Sequence, residues 1–330
     1  MTFSNLAAAE SAATSAGSGT PLWRKTSRNL VIVRAGDSSL HEEWLAEPGE
    51  RNWDLVVSYF GDDPLRYRGE NIIRLDSKGP KWSSLYQLIC QRQAEIMQYD
   101  YIWLPDDDLS AAKPVINRMF AICAGLQMEL AQPALTPDSH IALPITLVNT
   151  AFAVRYTNFV EIMAPVFSRA FLQRCLGSFL ENVSGWGLDY LWSSWASPYK
   201  AGIIDACCVR HTRPVGGPNY QFVKAQGKSA SGELVDLLKK YGLSPTTAIF
   251  GGIDDTGRQL LLTQGHGCEL IETILRGYLP ALANFSRVLS DLLRPILKYM
   301  TLAPAGVMGA PPAPSNVPAR PAQDPPARTA

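Results

Sequence analysis

The segment YDYIWLPDDDL, Tyr99 to Leu109, constrains this chain more than any other. An apolar run, Tyr101 to Leu104, stops abruptly at Asp106, Asp107 and Asp108. The run reads as a buried strand that delivers carboxylates to the edge of a sheet. Adjacent carboxylates repel one another unless a cation or a basic ligand sits beside them. Side chains alternate along a strand, so Asp106 and Asp108 share a side if that geometry persists. Two hard oxygen ligands on one side suit Mg²⁺ or Mn²⁺, which are commonly held by a few carboxylates plus substrate phosphates. The competing reading is a solvated turn in which one Asp caps a helix at Ser110–Ala112.

The rest of the chain supplies a sheet for such an edge. Leu30–Ala35 and Asp54–Phe60 are buried-strand runs, and Asn71–Leu75 is a shorter one. Ser83 to Gln98 reads as a helix capped by Ser83 or Ser84, and Ala111–Leu126 as the next. Strands alternating with helices indicate a mostly parallel sheet with helices on both faces. Ligands of such sheets bind at the C-terminal strand ends, where Asp37, Asp62 and the triple Asp all fall. Further on, QPAL (132–135), Ile141–Val148, Phe159–Val166 and Gly202–Val209 are strand-like. Ser231–Tyr241 is a short helix stopped by Gly242. Gly251 to Gly257 reads as a turn, and its Asp254–Asp255 pair as turn residues.

Residues 1–27 read as a flexible leader without a secretory pattern, and 28–268 as the folded domain. Residues 269–302 read as an amphipathic helical extension. Its apolar positions 271, 275, 278, 282, 285, 289, 292 and 296 form a heptad-like seam, interrupted by Pro280 and Pro295. Packing on the domain is preferred over a homodimer or a peripheral membrane contact through 269–300. The Pro- and Ala-rich segment 303–330 reads as disordered.

Charge and cysteine content narrow the setting. Lys+Arg 30 against Asp+Glu 30 removes the electrostatic case for nucleic acid as a partner. No run is long and apolar enough to span a bilayer. The six cysteines lack paired metal spacing and read mainly as reduced core residues of a cytoplasmic protein.

A second segment, SGWGLDYLWSSW, carries chemistry. Gly185 and Gly187 flank Trp186 and permit a tight backbone approach to a ligand. Asp189 falls in the first turn of a helix, where the dipole favours the ionised carboxylate. Such a group can take a proton from a sugar hydroxyl, and Trp186 offers a platform for a sugar ring. His211 follows the strand 202–209 and is a candidate third metal ligand. Lys81 stands near a helix N-terminus, where it could meet a diphosphate or equally be a solvated turn lysine. His41, His140 and His266 have weaker contexts. No phosphate loop, dinucleotide Gly pattern or nucleophile elbow occurs.

In order, GPKW (79–82), WLPDDDL (103–109), QPAL (132–135), RYTNFVEIMAPVFSR (155–169), GWGLDY (185–190) and GIIDACCVRH (202–211) resemble one family. It is the Domain of Unknown Function family seven-zero-seven, whose plant members carry the label "lysine-ketoglutarate reductase trans-splicing related". The resemblance covers about residues 28–215. That family is similar to GT-A glycosyltransferases, in which an Asp-x-Asp motif binds Mn²⁺ or Mg²⁺ on the nucleotide diphosphate. Here the resemblance implies Asp106 and Asp108 as metal ligands, with Asp107 between them on the cofactor-binding side. The galactosyltransferase branch uses Gly-Trp-Gly before acidic residues at the acceptor site and a later His on the metal. This implies acceptor binding by Gly185, Trp186 and Gly187, a base at Asp189 and a metal ligand at His211. The sequence departs from that branch with Leu188 and a single Asp where it has an acidic pair.

The expected fold is therefore α/β: a GT-A-like, nucleotide-diphospho-sugar transferase-like, mixed and mainly parallel sheet with helices on both faces and a C-terminal helical extension. The expected function is a metal-dependent, inverting glycosyltransferase. It would move a sugar from a nucleotide-sugar donor to a sugar or glycan hydroxyl, in polysaccharide or glycoconjugate synthesis. Asp37 and Asp62 are weaker candidates for nucleotide contact. A lipid-linked acceptor would place the protein at the inner face of the membrane. The alternative is a non-catalytic carbohydrate- or nucleotide-sugar-binding module. A nucleotidyltransferase is disfavoured by the acidic segment GDSSLHEEW after the first strand.

Overall fold

A computed structural model describes residues 23–69, 72–217 and 219–282, with side chains as far as Tyr278. Most of the expected leader and the tail from 283 onward lie outside the described residues.

The first half alternates strand and helix. β1 (Asn29–Ala35), α1 (Glu43–Ala46), β2 (Trp53–Tyr59) and β3 (Ile72–Asp76) lead to α2 (Lys81–Gln91) and α3 (Gln93–Ile96). Then come β4 (Tyr101–Trp103), β5 (Leu109–Ser110), α4 (Lys113–Leu126) and β6 (Leu130–Leu135). The second half contains β7 (Phe152–Thr157), β8 (Val166–Ser168), α5 (Arg169–Cys175), α6 (Leu188–Trp195) and β9 (Ala201–His211). α7 (Asn219–Ala225), α8 (Ala230–Tyr241), β10 (Ile249–Asp254), β11 (Gln259–Leu261) and α9 (Gly267–Leu282) complete it.

One mixed sheet joins them in the order β11-β10-β7-β9-β6-β8-β4-β1-β2-β3, with β5 paired to β9. Along that path β1, β2, β3, β4, β6, β9 and β10 point one way, and β7, β8 and β11 the other. The sheet is thus mixed, as expected, with most strands running one way and parallel neighbours in β4-β1-β2-β3 and β6-β9. Its period-two alternation feeds two cores. Val31, Val33 and Ala35 of β1 pack with Ile116, Met119 and Phe120 of α4. Leu30 and Ile32 pack with Leu85 and Ile89 of α2 and with Leu191 and Trp192 of α6 on the other face. Helices therefore cover both faces. No described helix is long and apolar enough to cross a membrane.

Several segments differ from their sequence reading. Ile141–Val148 is not a strand: Pro144 opens a 3-10 turn there, and the Ile145 and Leu147 carbonyls accept from Arg155 rather than from a ladder. Phe159–Val166 is a loop up to β8. The Val160 and Glu161 N–H groups donate to the side chains of Ser193 and Gln132, and Pro165 has none to give. The helix expected over 83–98 starts at Lys81 without a side-chain cap and breaks at Arg92. Gly251 and Gly252 lie within β10 rather than in a turn, and Asp254 closes the β10–β11 turn by accepting from Thr256 and Arg258. Cys90 and Cys268 are exposed, and all six thiols are free, Cys207 and Cys208 included.

The helix α9 runs through Pro280 to Leu282, the last described residue. It buries Leu270, Ile274 and Tyr278, whereas Ile271 and Leu275 are only half-buried. Gly277 sets this rotation, because a Cβ there would meet Asn149 Oδ1 at 1.6 Å. The described part of the extension thus packs on the sheet.

Candidate functional site

Three backbone anchors fan the Asp residues apart where the chain leaves β4. Asp106 N–H donates to the Met163 carbonyl (2.8 Å). The Asp107 carbonyl accepts from Leu40 N–H (2.7 Å), in the loop after β1. The Asp108 carbonyl accepts from Thr212 N–H (3.1 Å), just past β9. β5 then pairs antiparallel with the end of β9, Leu109 opposite His211. That pairing brings a histidine more than one hundred positions away against Asp108.

Each carboxylate meets its own basic group. Lys81 Nζ lies 2.6 Å from Asp106 Oδ1 and also donates to the Ile162 carbonyl at 2.8 Å. Asp107 Oδ2 accepts from Gly36 N–H (2.8 Å), and its Oδ1 lies 3.2 Å from Arg213 Nη1. His211 Nε2 lies 3.3 Å from Asp108 Oδ2. Burial raises the Asp106 carboxyl, with Asp108 adding to the rise while Lys81 and His211 oppose it. Burial likewise raises Asp107, against the Gly36 N–H and Arg213. For His211, burial disfavours the cation, but Asp108 outweighs it and lifts the imidazole to about 8.

Two atoms bear on whether a cation fits. Asp108 Oδ1 is buried and has no hydrogen-bond partner among the described residues. His211 Nδ1 lies 2.6 Å from the His140 carbonyl. A carbonyl only accepts, so Nδ1 carries a hydrogen, and the protonated ring points Nε2–H at Asp108; loss of that proton would free Nε2 for a cation. An orphaned carboxylate oxygen and an oriented imidazole nitrogen are the donor chemistry a divalent cation takes. Among the described residues no group of three His, Cys, Asp or Glu is spaced to hold a metal, and Asp106 is engaged by Lys81.

The other wall comes from α6 and α7. Asp189 is 9% exposed in the first turn of α6, and its Oδ1 accepts from Tyr190 N–H (2.9 Å). Burial pushes it up to about 7, against the N–H groups of the helix start. Half-buried Trp186 meets Tyr220 of α7 edge to face at 6.1 Å. Asn219 ties α7 to both walls, donating to the Val183 carbonyl and accepting from Lys81 N–H.

Gly185 and Gly187 have φ of +83° and +94°. The space above them is filled by protein: a Cβ on Gly185 would meet Trp82 Nε1 at 2.1 Å, and one on Gly187 would meet Leu237 Cδ2 at 2.8 Å. Gly185→Ala is therefore expected to cost about 1–3 kcal/mol through overpacking, plus backbone strain, as read by urea unfolding.

The remaining candidates spread out. Asp37 accepts from the Tyr59 hydroxyl beside the Gly36–Asp107 contact. Asp62 is exposed and ion-paired with Lys78 at 2.7 Å. His41 is buried, with Nδ1 2.7 Å from Ser39 Oγ, and burial lowers it to about 4. A groove of about 840 Å³, lined in part by Lys25, Arg28 and Asp100, opens at the opposite strand ends. Sequence reasoning did not single out Glu161, Arg213, Tyr190 or Tyr220. Glu161 carried the one available signal, a carboxylate inside the apolar run FVEIMAPVF.

Residues 93–233 match the family model described as a protein of unknown function, DUF707. This is the family resembled by the sequence motifs. The match contains five of the six motif segments and leaves GPKW outside. No curated protein matches the chain. Among solved structures, the chain is similar to Staphylococcus aureus TarS 1-349 in complex with UDP-GlcNAc. The identity is 12%, over 83% of this chain and 90% of that one, with a TM-score of 0.42. A second crystal structure of TarS 1-349 gives 11% over 83% and 89%, with a TM-score of 0.42. The TarS complex with UDP gives 11% over 65% and 71%, with a TM-score of 0.39.

Proposed function

We propose that the protein is a metal-dependent glycosyltransferase of the GT-A type that moves a sugar from a nucleotide-diphosphate donor to a hydroxyl acceptor with inversion. The observation that supports this reading is the contact of Asp108, whose other carboxylate oxygen is buried without a partner among the described residues, with His211, whose ring is oriented by the His140 carbonyl. Asp108 and His211, joined by Asp106 once its Lys81 contact is exchanged, would hold Mn²⁺ or Mg²⁺, which would supply Lewis-acid stabilisation to the departing diphosphate. Lys81, at the start of α2, adds a cation and the helix N-terminus on the same side. Asp37 and Asp107 line the nucleotide side near Gly36, and Asp62 is the outermost candidate there.

On the acceptor side, Trp186 packs against the sugar ring. Asp189 takes the hydroxyl proton as the acceptor oxygen bonds to the donor's anomeric carbon and the carbon–diphosphate bond breaks. Burial that keeps Asp189 near neutrality suits a base that must release its proton afterwards. The six free thiols support a reducing compartment such as the cytoplasm, where a lipid-linked acceptor would be met at the inner membrane face.

The test is transfer or donor hydrolysis across a panel of nucleotide sugars with Mn²⁺, on the wild type and on Asp108→Asn. The variant should keep its fold and lose cation-dependent turnover by more than the ~10–100-fold typical of outer-shell changes. Metal-dependent turnover retained in Asp108→Asn would remove the metal assignment.

A further inference from the structure

Glu161 lies in the loop between β7 and β8 and is 7% exposed. Its Oε2 is buried without a hydrogen-bond partner among the described residues. The backbone around it is well used. Val160 N–H donates to Ser193 Oγ (3.1 Å), Glu161 N–H to Gln132 Oε1 (2.5 Å), and the Ile162 carbonyl accepts from Lys81 (2.8 Å). Ser193 sits one helical turn after Asp189, so the loop is tied to the wall that carries the candidate base. The fold therefore holds the Glu161 main chain in place from both sides and leaves this side-chain oxygen without a structural task. Burial pushes the carboxyl up to about 8, with Asp189 and Asp106 adding to the rise while His211 and Lys81 oppose it.

We infer that Glu161 is a second carboxylate of the acceptor subsite, and that its ligand is a polyol: a sugar ring that gives one hydroxyl to Asp189 and a neighbouring hydroxyl to Glu161. The inference rests on the glycosyltransferase reading and names the acceptor class for that site. Carboxylates accept hydrogen bonds from hydroxyls, while aromatic faces take the ring carbons. A carboxyl that holds its proton can instead donate to a hydroxyl, so a polyol is matched in either protonation state. A buried, unpaired acid also costs stability, and such a cost is retained where ligand binding needs the group.

The experiment is ligand-observed NMR with a panel of methyl glycosides on the full chain, with Mn²⁺ and a nucleotide diphosphate present, for wild type and Glu161→Gln. At least one glycoside should bind the wild type, and Glu161→Gln should weaken it about tenfold. The variant should melt about 2 °C or more higher, because a costly buried acid is gone, with its nucleotide-induced melting shift unchanged. Undiminished glycoside binding in Glu161→Gln would overturn the inference. So would a lower melting temperature with glycoside binding and nucleotide shift lost together, or an absence of glycoside binding by the wild type. A missing nucleotide shift in wild type, with glycoside binding that still depends on Glu161, would instead remove the glycosyltransferase reading and leave the polyol site standing.

Discussion

Asp189→Asn is expected to lower transfer by about 10²–10⁴-fold, the usual contribution of a positioned base, while leaving nucleotide binding intact. The amide keeps the shape of the helix start and can still accept from Tyr190 N–H. It cannot take the acceptor proton. In the wild type, transfer should rise with pH through about 7 as Asp189 ionises. The same group shapes stability in the opposite sense. Its folded pKa is raised above the unfolded value of 3.8, so the folded state binds the proton more tightly. The stability this contributes is full below about pH 4 and is lost as pH rises through about 7. Asp189→Asn should flatten that part of the stability–pH curve, measured by urea unfolding from pH 4 to 8. Near-normal transfer in the variant would exclude Asp189 as the base.

Asp205→Ala is expected to destabilise the fold by about 3–5 kcal/mol, the cost of leaving a buried charge unpaired. Arg155 and Asp205 both have side chains 0% exposed, and their Nε–Oδ2 distance is 2.7 Å. Every guanidinium N–H has a partner: Asp205 takes two, the Ile145 and Leu147 carbonyls one each, and the Tyr278 hydroxyl one. Asp205 Oδ1 also accepts from Asn149 N–H at 2.8 Å. One ion pair thus ties β7, β9, the 141–148 segment and α9 together. It also sits in the β9 irregularity, where the register against β6 jumps from Ile204 to Cys208. The double replacement Arg155→Met with Asp205→Leu should cost far less than Asp205→Ala alone, because no charge is then stranded. Equal losses in both variants would mean that the segment is held by packing rather than by the pair.

Strands built around an apolar run were legible in the sequence. β1, β2 and β4 carry such runs, β9 carries two around Asp205, and α4 and α8 show clear helical spacing. β7 was not, because Arg155 interrupts its apolar pattern and the balancing acid lies fifty residues away. The opposite error befell 159–166, apolar enough for a strand but bonded to the side chains of Ser193 and Gln132. Alternation would put Asp106 and Asp108 on one side only if the strand continued, but β4 ends at Trp103 and the Asp residues lie in the loop beyond it; no local rule reveals that Lys81 meets one and His211 the other. Those partners are set by the loop before α2 and the β5–β9 pairing. Glu161 escaped notice for the same reason: its burial and missing partner exist only once three separate elements are packed.

Cation-dependent nucleotide binding is the claim on which the site stands. The most direct measurement is the melting temperature of the full chain with nucleotide diphosphates and nucleotide sugars, each with Mn²⁺ and with chelator. A ligand that binds only the native state raises the melting temperature by mass action, about 2.7 kcal/mol at one hundred times Kd. Stabilisation by one nucleotide class is expected with Mn²⁺, with its loss in chelator and in Asp108→Asn. The absence of a shift with every pair would contradict it and favour a carbohydrate-binding module whose Asp cluster is a solvated turn.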